Sequence, residues 1–318
     1  MKTRHLLPAL LCALALCVPS VHAADYPSGP VVIISPYAPG DSVDNTARIF
    51  ADRLGRELGT SVIVQNVTGG SGIIGMKNAL KAAPDGQTLV MAVAGALINA
   101  PLLNSPGFTS KDFTPLAKLT ELPFAIAVKS DSPFKTLDDL AAAARTRTLK
   151  FSTPGASSTQ RMVISEFAAK NGFKPMRHIA GQGGSDTVTK LLTGEVDMAF
   201  TAVSVFYPLV KGGKLRLLAV GTDDRLPYLP DQPTFKEQGF AMPETLWFGI
   251  AVRNGVPAET LDVLNGAINK ICSGTEMKEA LDKFKISLSY LGPEDFGMLI
   301  ENTVVRREAM MKELGLIK

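Results

Sequence analysis

The chain has 318 residues with 33 basic and 30 acidic side chains, 46% hydrophobic residues and three cysteines. A charge this close to balance, with no basic tail or stripe, excludes nucleic acid as the expected partner. The length suits roughly two domains of about 150 residues each, enough to build a core without disulfide support.

Lys2 and Arg4 give the chain a basic start, Leu6 to Val18 form a short apolar run, and Val21-His22-Ala23 closes it with small residues at the recognition positions. This order reads as a secretory signal peptide cut after Ala23. The apolar run falls short of the about 20 residues a membrane-spanning helix takes. A lipoprotein signal at Cys17 is the competing reading, against which stands bulky Leu16 where a small residue belongs. Removing 23 residues from 318 leaves 295, and takes Cys12 and Cys17 away so that Cys272 has no disulfide partner. Without Lys2 and Arg4, 31 of the 33 basic residues remain against 30 acidic ones. The expected product is an exported protein of the periplasm.

Val31 to Ile34 is a continuous apolar, β-branched run and predicts a buried strand. After the loop Pro36 to Gly40, Ala47, Phe50, Ala51, Leu54 and Leu58 share one helical face, and Gly59 ends that helix. Ser61 to Gln65 is the next strand, followed by the turn Gly69-Gly70-Ser71-Gly72, a short helix from about Ile73 to Ala82, and a strand over Thr88 to Val93. Ala125 to Val128 is a strand, and Thr136-Leu137-Asp138-Asp139 is a capping start for a helix over Leu137 to Arg145. Leu149 to Ser152 (strand), Ser158 to Lys170 (helix), Arg177 to Ile179 (strand) and a helix ending at Leu192 continue the alternation. Val196 to Phe200 and Leu215 to Val220 are strands; from about Thr245 come a strand, a helix over Ala258 to Ile271, a short helix, a strand, and a long helix from about Pro293. Such alternation implies mostly parallel sheets covered on both faces. The length implies two doubly wound α/β lobes, with ligand outside the carboxyl ends of the strands.

Three loops stand at such ends. Ser35 to Asp44 follows a strand and opens a helix, where free N–H groups and the Ser42 hydroxyl suit an anion. Ser152 to Thr159 repeats that context with several hydroxyls and with Gly155 for close backbone approach. Ala180 to Asp186 adds further glycines. An ordinary capped turn explains each loop equally well, but two of them, one per lobe, make a cleft. Asp44 and Arg48 form an i,i+4 ion pair rather than a catalytic couple. Enzyme readings lack their parts. His178 is the sole histidine after Ala23 and lies inside a strand, Cys272 has no base to serve it, and no nucleophile elbow, metal-spaced cluster or P-loop lysine occurs. No cofactor, metal or catalytic residue is expected.

The ordered motifs resemble one known family. Tyr26-Pro27, Pro36 to Asp44 with Ala47-Arg48, Asn66 to Gly75, Pro84-Asp85-Gly86, Ser152 to Ser158, Leu192 to Asp197, Gly213 to Arg216 with Leu218 to Val220, and Pro233-Thr234 with Glu237 and Gly239 look like the Bug family. These are extracytoplasmic receptors of tripartite tricarboxylate transporters. The resemblance implies an α/β, two-lobed periplasmic-binding-protein fold, two doubly wound domains with a hinge and an interdomain ligand cleft. Lobe 1 would comprise 24–122 plus 234–318, and lobe 2 would comprise 123–233. It implies no enzyme but a monomeric receptor for a small carboxylate-bearing ligand, whether carboxylic acid, amino acid or pyridine carboxylate. The partner would be a membrane permease; a receptor presenting its closed lobes to a sensor kinase is the alternative, and a hydrolase using Ser157 or Ser158 a remote third. Carried over, the ligand-binding residues are Tyr37, Gly40, Asp41, Ser42 and Asp44 in the first lobe, with Ser152, Gly155, Ala156, Ser157, Gly181, Asp186 and Thr201 in the second. The chain departs from the family where Asp41 replaces a glycine, Arg161 a histidine, Asp186 a proline and Thr201 an acid. Two carboxylates at about 4 Å repel by about 1 kcal/mol even in water. Asp41 or Asp186 therefore meets an ammonium or hydroxyl of the ligand, or else both are solvated surface acids.

Overall fold

The computed structural model describes residues 26–241 and 245–318, so the signal-peptide reading of residues 1–23 lies outside the described part. The first lobe opens with β1 (Val31–Ser35), α1 (Ser42–Leu58), β2 (Val62–Asn66), α2 (Ile73–Lys81) and β3 (Thr88–Val93). Phe50 and Leu54 are fully buried on the inner face of α1. Gly59 ends that helix with φ 65°, its N–H donating to the Gly55 carbonyl. After β3 a π-helical turn, Gly95–Asn99, leads into α3 (Ala100–Asn104). The sequence reading assigned neither, because every residue of Gly95–Asn99 is buried and a run buried all round carries no amphipathic period.

β4 (Phe113–Leu122) was also missed, its apolar pattern being broken by Pro115, Lys118 and Glu121. The strand tolerates Pro115 at a register irregularity opposite Ala251. β4 leads into β5 (Phe124–Lys129) in the second lobe. There follow α4 (Leu137–Thr146), β6 (Lys150–Thr153), α5 (Thr159–Lys170), β7 (Arg177–Ala180), α6 (Gly184–Leu192), β8 (Met198–Ala202), α7 (Val203–Lys211) and β9 (Leu215–Val220). Thr136 and Asp139 form the expected capping box on α4. The chain then returns through β10 (Leu246–Arg253), α8 (Ala258–Ser273), α9 (Thr275–Lys283), β11 (Ser287–Leu291) and α10 (Pro293–Glu313) to the first lobe.

Two sheets result, ordered β11-β4-β10-β3-β1-β2 and β7-β6-β8-β5-β9. The expectation of mostly parallel sheets needs correction. β1 pairs parallel with β2 and β3, and β6 with β7 and β8. The crossing strands run against them: β10 is antiparallel to β3 and β4, and β5 is antiparallel to β8 and β9. β5 and β10 each enter their sheet from the other lobe at the cleft end, where the parallel strands finish, and so run against them; β4 and β9, which leave, run with them.

Pro123 sits between the two sheets. It has no N–H to donate to a ladder, and its carbonyl accepts the Val203 N–H at 3.0 Å. The returning strand pairs beside it, Leu246 opposite Leu122. Residues 234–240, assigned above to the first lobe, attach to the second sheet: Phe235 donates its N–H to Val220, the Gln238 amide reaches the Leu218 carbonyl, and the Phe235 ring packs on Phe167 at 5.4 Å. Among the described residues no helix is long and apolar enough to cross a membrane.

Candidate ligand-binding cleft

The parallel strands of both sheets end at the same place. The helices that follow them, α1 from the first lobe and α5, α6 and α7 from the second, begin at the interlobe boundary. Four contacts tie the lobes there. Gly184, the first residue of α6, donates its N–H to Asp41 Oδ2 at 2.7 Å. The hydroxyls of Ser42 and Ser204 lie 3.0 Å apart. Ser157 donates its N–H to Ser71 Oγ at 3.3 Å, and Asn104 donates its amide to Ser157 Oγ at 3.3 Å.

A narrow cavity of about 20 Å³ lies between the lobes, with Tyr37, Asp41, Ser42, Gly95, Thr159 and Thr201 on its wall. The four contacts hold the lobes closed over it. Among the described residues no Lys, Arg or His stands on this wall, and Asp41 is the one charged side chain there. The donors on offer are hydroxyls and the N–H groups at the starts of α1 and α5, which carry the positive end of each helix dipole. Thr159, the first residue of α5, is 2% exposed and its Oγ1 has no partner. A buried polar atom left unpaired costs about 1–3 kcal/mol, and among the described residues nothing offsets that cost at this hydroxyl. A second cavity, of about 170 Å³, shares Tyr37 and Pro154 with the first and runs to the Gly69–Gly72 turn and Gly181.

Asp41 is not a solvated surface acid, one of the two readings the sequence left open; it stands on the cavity wall. It is 8% exposed. Burial pushes its carboxyl pKa above the ordinary 3.8, against the pull of the Gly184, Val43 and Ser42 N–H groups. Only the Gly184 N–H reaches hydrogen-bond geometry; the other two, in the first turn of α1, act from farther off. Asp186 turns away from the cleft, accepting the Gln182 N–H of its own loop at 3.0 Å, with Lys190 3.9 Å off.

The remaining expected residues divide in the same way. Tyr37, Ser42 and Thr201 line the first cavity, and Gly181 the second. Ser157 and Gly155 form the interlobe seam: a Cβ on Gly155 would stand 3.2 Å from Ser71 Oγ. Asp44 braces the loop instead of facing the cleft. It accepts the Gly40 N–H, the Arg48 guanidinium and the Asn66 amide at 2.8, 2.9 and 2.8 Å; these partners outweigh its burial and hold its carboxyl below the usual range. Gly40 and Ala156 are exposed, and the Ser152 hydroxyl is buried away from both cavities. The sequence reading placed Thr159 in a candidate loop without choosing it as a ligand residue, and missed Gly95 and Gln160 on the wall and Ser71 and Ser204 on the seam. Gly95 had a signal, standing just past the end of an apolar strand.

Thr153 links this seam to the lobe behind it. Its hydroxyl meets Ser158 Oγ at 3.0 Å and His178 Nε2 at 2.9 Å. Ser158 Oγ in turn caps α5 by accepting the Arg161 N–H. His178 thus reaches a threonine, not a serine, and no Ser–His couple forms. Burial pushes the His178 pKa down to about 4, and the Arg161 charge adds to this. A histidine lowered on folding stabilises the fold above its ordinary 6.5 and loses that contribution as pH falls to about 4. Denaturation midpoints of the wild type should therefore drop more steeply across this window than those of His178→Gln. Parallel curves would clear His178 of the effect.

Among the described residues no cluster of His, Cys, Asp and Glu can hold a metal. A profile described as "Tripartite tricarboxylate transporter family receptor" matches residues 46–316. A UPF0065 protein of Bordetella bronchiseptica is 36% identical over 274 residues, covering 85% of this chain and 80% of that protein. Protein BugT of Bordetella pertussis is 27% identical over 303 residues, covering 93% and 92%. An R. palustris protein solved with adipate superposes with a TM-score of 0.86 at 26% identity, covering 92% of this chain and 99% of that one. The family and fold are those of solute-binding receptors of the periplasm, not of enzymes. By profile, relatives and two-lobed architecture together, this chain belongs to the Bug family, the receptors of tripartite tricarboxylate transporters.

Proposed function

We propose that the mature chain, exported by residues 1–23, captures a small carboxylate-bearing solute between its lobes and presents the closed form to the membrane permease of a tripartite tricarboxylate transporter. The observation that carries this reading is the unpartnered Thr159 hydroxyl at the start of α5, buried in the wall of a closed interlobe cavity. A carboxylate oxygen there would complete a hydrogen bond the protein leaves open and would sit at the positive end of a 12-residue helix. Binding by neutral donors suits a cavity with no basic side chain among its described residues, and the related R. palustris protein was solved with adipate. Solute that bridges the lobes favours the closed state by its greater affinity for it.

Thermal unfolding of the mature protein tests this, after carried-over solute has been removed by unfolding and refolding. The panel is mono-, di- and tricarboxylates, amino acids, nicotinate and nicotinamide. A true ligand at about 100 times its Kd adds about 2.7 kcal/mol. Selective stabilisation by one carboxylate class is the expected result; stabilisation by none removes the carboxylate assignment.

A further inference from the structure

The α6 end of the cleft already holds a carboxylate, and it belongs to the protein. α6 has glycine, Gly183, at its N-cap and no side-chain cap of its own. Its first donor, the Gly184 N–H, is taken from across the cleft by Asp41 Oδ2 at 2.7 Å. The fit is close, since a Cβ on Gly183 would come within 2.8 Å of that same oxygen. Asp41 also forms part of the cavity wall, with the start of α1 on one side and Thr201 on the other. Two anion positions thus exist in one narrow cleft: the α6 position, filled by Asp41, and the α5 position, where Thr159 Oγ1 is unpartnered.

Resting on the carboxylate-capture reading, we infer that Asp41 is the specificity-determining residue of this receptor: it occupies the position of a second ligand carboxylate, so the chain selects monocarboxylates over dicarboxylates. A dicarboxylate whose first group sits on Thr159 finds the Gly184 N–H taken and an acid in its way. A monocarboxylate leaves the Asp41–Gly184 contact intact, and that contact then helps hold the lobes together around it.

The test is calorimetric binding of matched pairs, propanoate to octanoate against malonate to suberate and benzoate against terephthalate, to the wild type, Asp41→Gly and Asp41→Asn. Melting curves confirm that each variant is folded. The wild type is expected to bind a monocarboxylate at least tenfold more tightly than its dicarboxylate partner. Asp41→Gly, which frees the Gly184 N–H, should tighten the dicarboxylate at least tenfold. Asp41→Asn, whose amide oxygen still accepts that N–H, should retain the monocarboxylate preference. Dicarboxylate preference in the wild type, or an unchanged ratio in Asp41→Gly, overturns the inference while leaving carboxylate capture standing. Failure of every carboxylate to bind overturns both.

Discussion

Replacing Gly95 with valine will abolish solute capture in a protein that still folds. Gly95 lies just past the carboxyl end of β3, where the lobes come closest. A Cβ there would stand 3.0 Å from the Tyr37 hydroxyl, 3.3 Å from Ser158 Cα and 3.5 Å from the Ser157 carbonyl. The last two atoms belong to the opposite lobe. Alanine would already be tight, and the two methyl groups of valine would overlap all three neighbours. The open form relieves the overlap with Ser157 and Ser158 by keeping the lobes apart, and the Tyr37 hydroxyl of the same lobe swings aside, so the cost falls mainly on closure. Apparent affinity scales with the fraction of protein able to reach the binding-competent state; we expect a loss of about 100-fold or more. The ligand-free melting temperature should stay within about 2 °C of the wild type, a change of under about 1 kcal/mol. Calorimetry gives the affinity, and small-angle scattering shows whether ligand still compacts the molecule. Wild-type affinity in Gly95→Val would mean that this seam does not close on the ligand.

Gly249→Ala makes the opposite kind of protein, one damaged throughout the first lobe. Gly249 is in the middle of β10, between Ala92 of β3 and Lys118 of β4. An added Cβ would run into the Phe296 ring and would stand 2.5 Å from the Ala117 carbonyl. Phe296 is fully buried and packs edge-on against Trp247 at 5.3 Å, so its ring has nowhere to move. Overpacking a filled core costs about 1–3 kcal/mol, and contact with both a ring and a backbone oxygen puts this site at about 3 kcal/mol. That corresponds to a melting temperature lower by about 6 °C. The pair Gly249→Ala with Phe296→Leu should recover part of the loss, because leucine vacates the space the methyl needs. No recovery would place the cost on the Ala117 carbonyl instead. The single tryptophan, Trp247, belongs to this packed layer, at 7% exposure.

Most elements were legible because their patterns are local. The buried β-branched run of β1, the apolar face of α1 with Gly59 behind it, and the Thr136–Asp139 capping box each specify their structure within a few residues. The strand-helix alternation gave two α/β lobes, and the strand ends gave the loops around Tyr37, Ser42 and Gly181, while Thr201 came only from the family resemblance. What failed lacked a local pattern: β4 with its interrupting Pro115, and the π-turn at Gly95, buried on every side. The roles of the acids were beyond the sequence for a different reason. Asp41, Asp44 and Asp186 all follow strands and open helices. One is bonded 143 positions away, one to a loop and an asparagine of its own lobe, and one to its own turn. By itself the sequence determined the lobes, their order and the loops that face each other, because hydrophobic period and turn chemistry act over short spans. Only the tertiary structure decided which carboxylate enters the cleft and which hydroxyl remains unpaired there, because burial and hydrogen-bond partners depend on chain segments that meet when the lobes close.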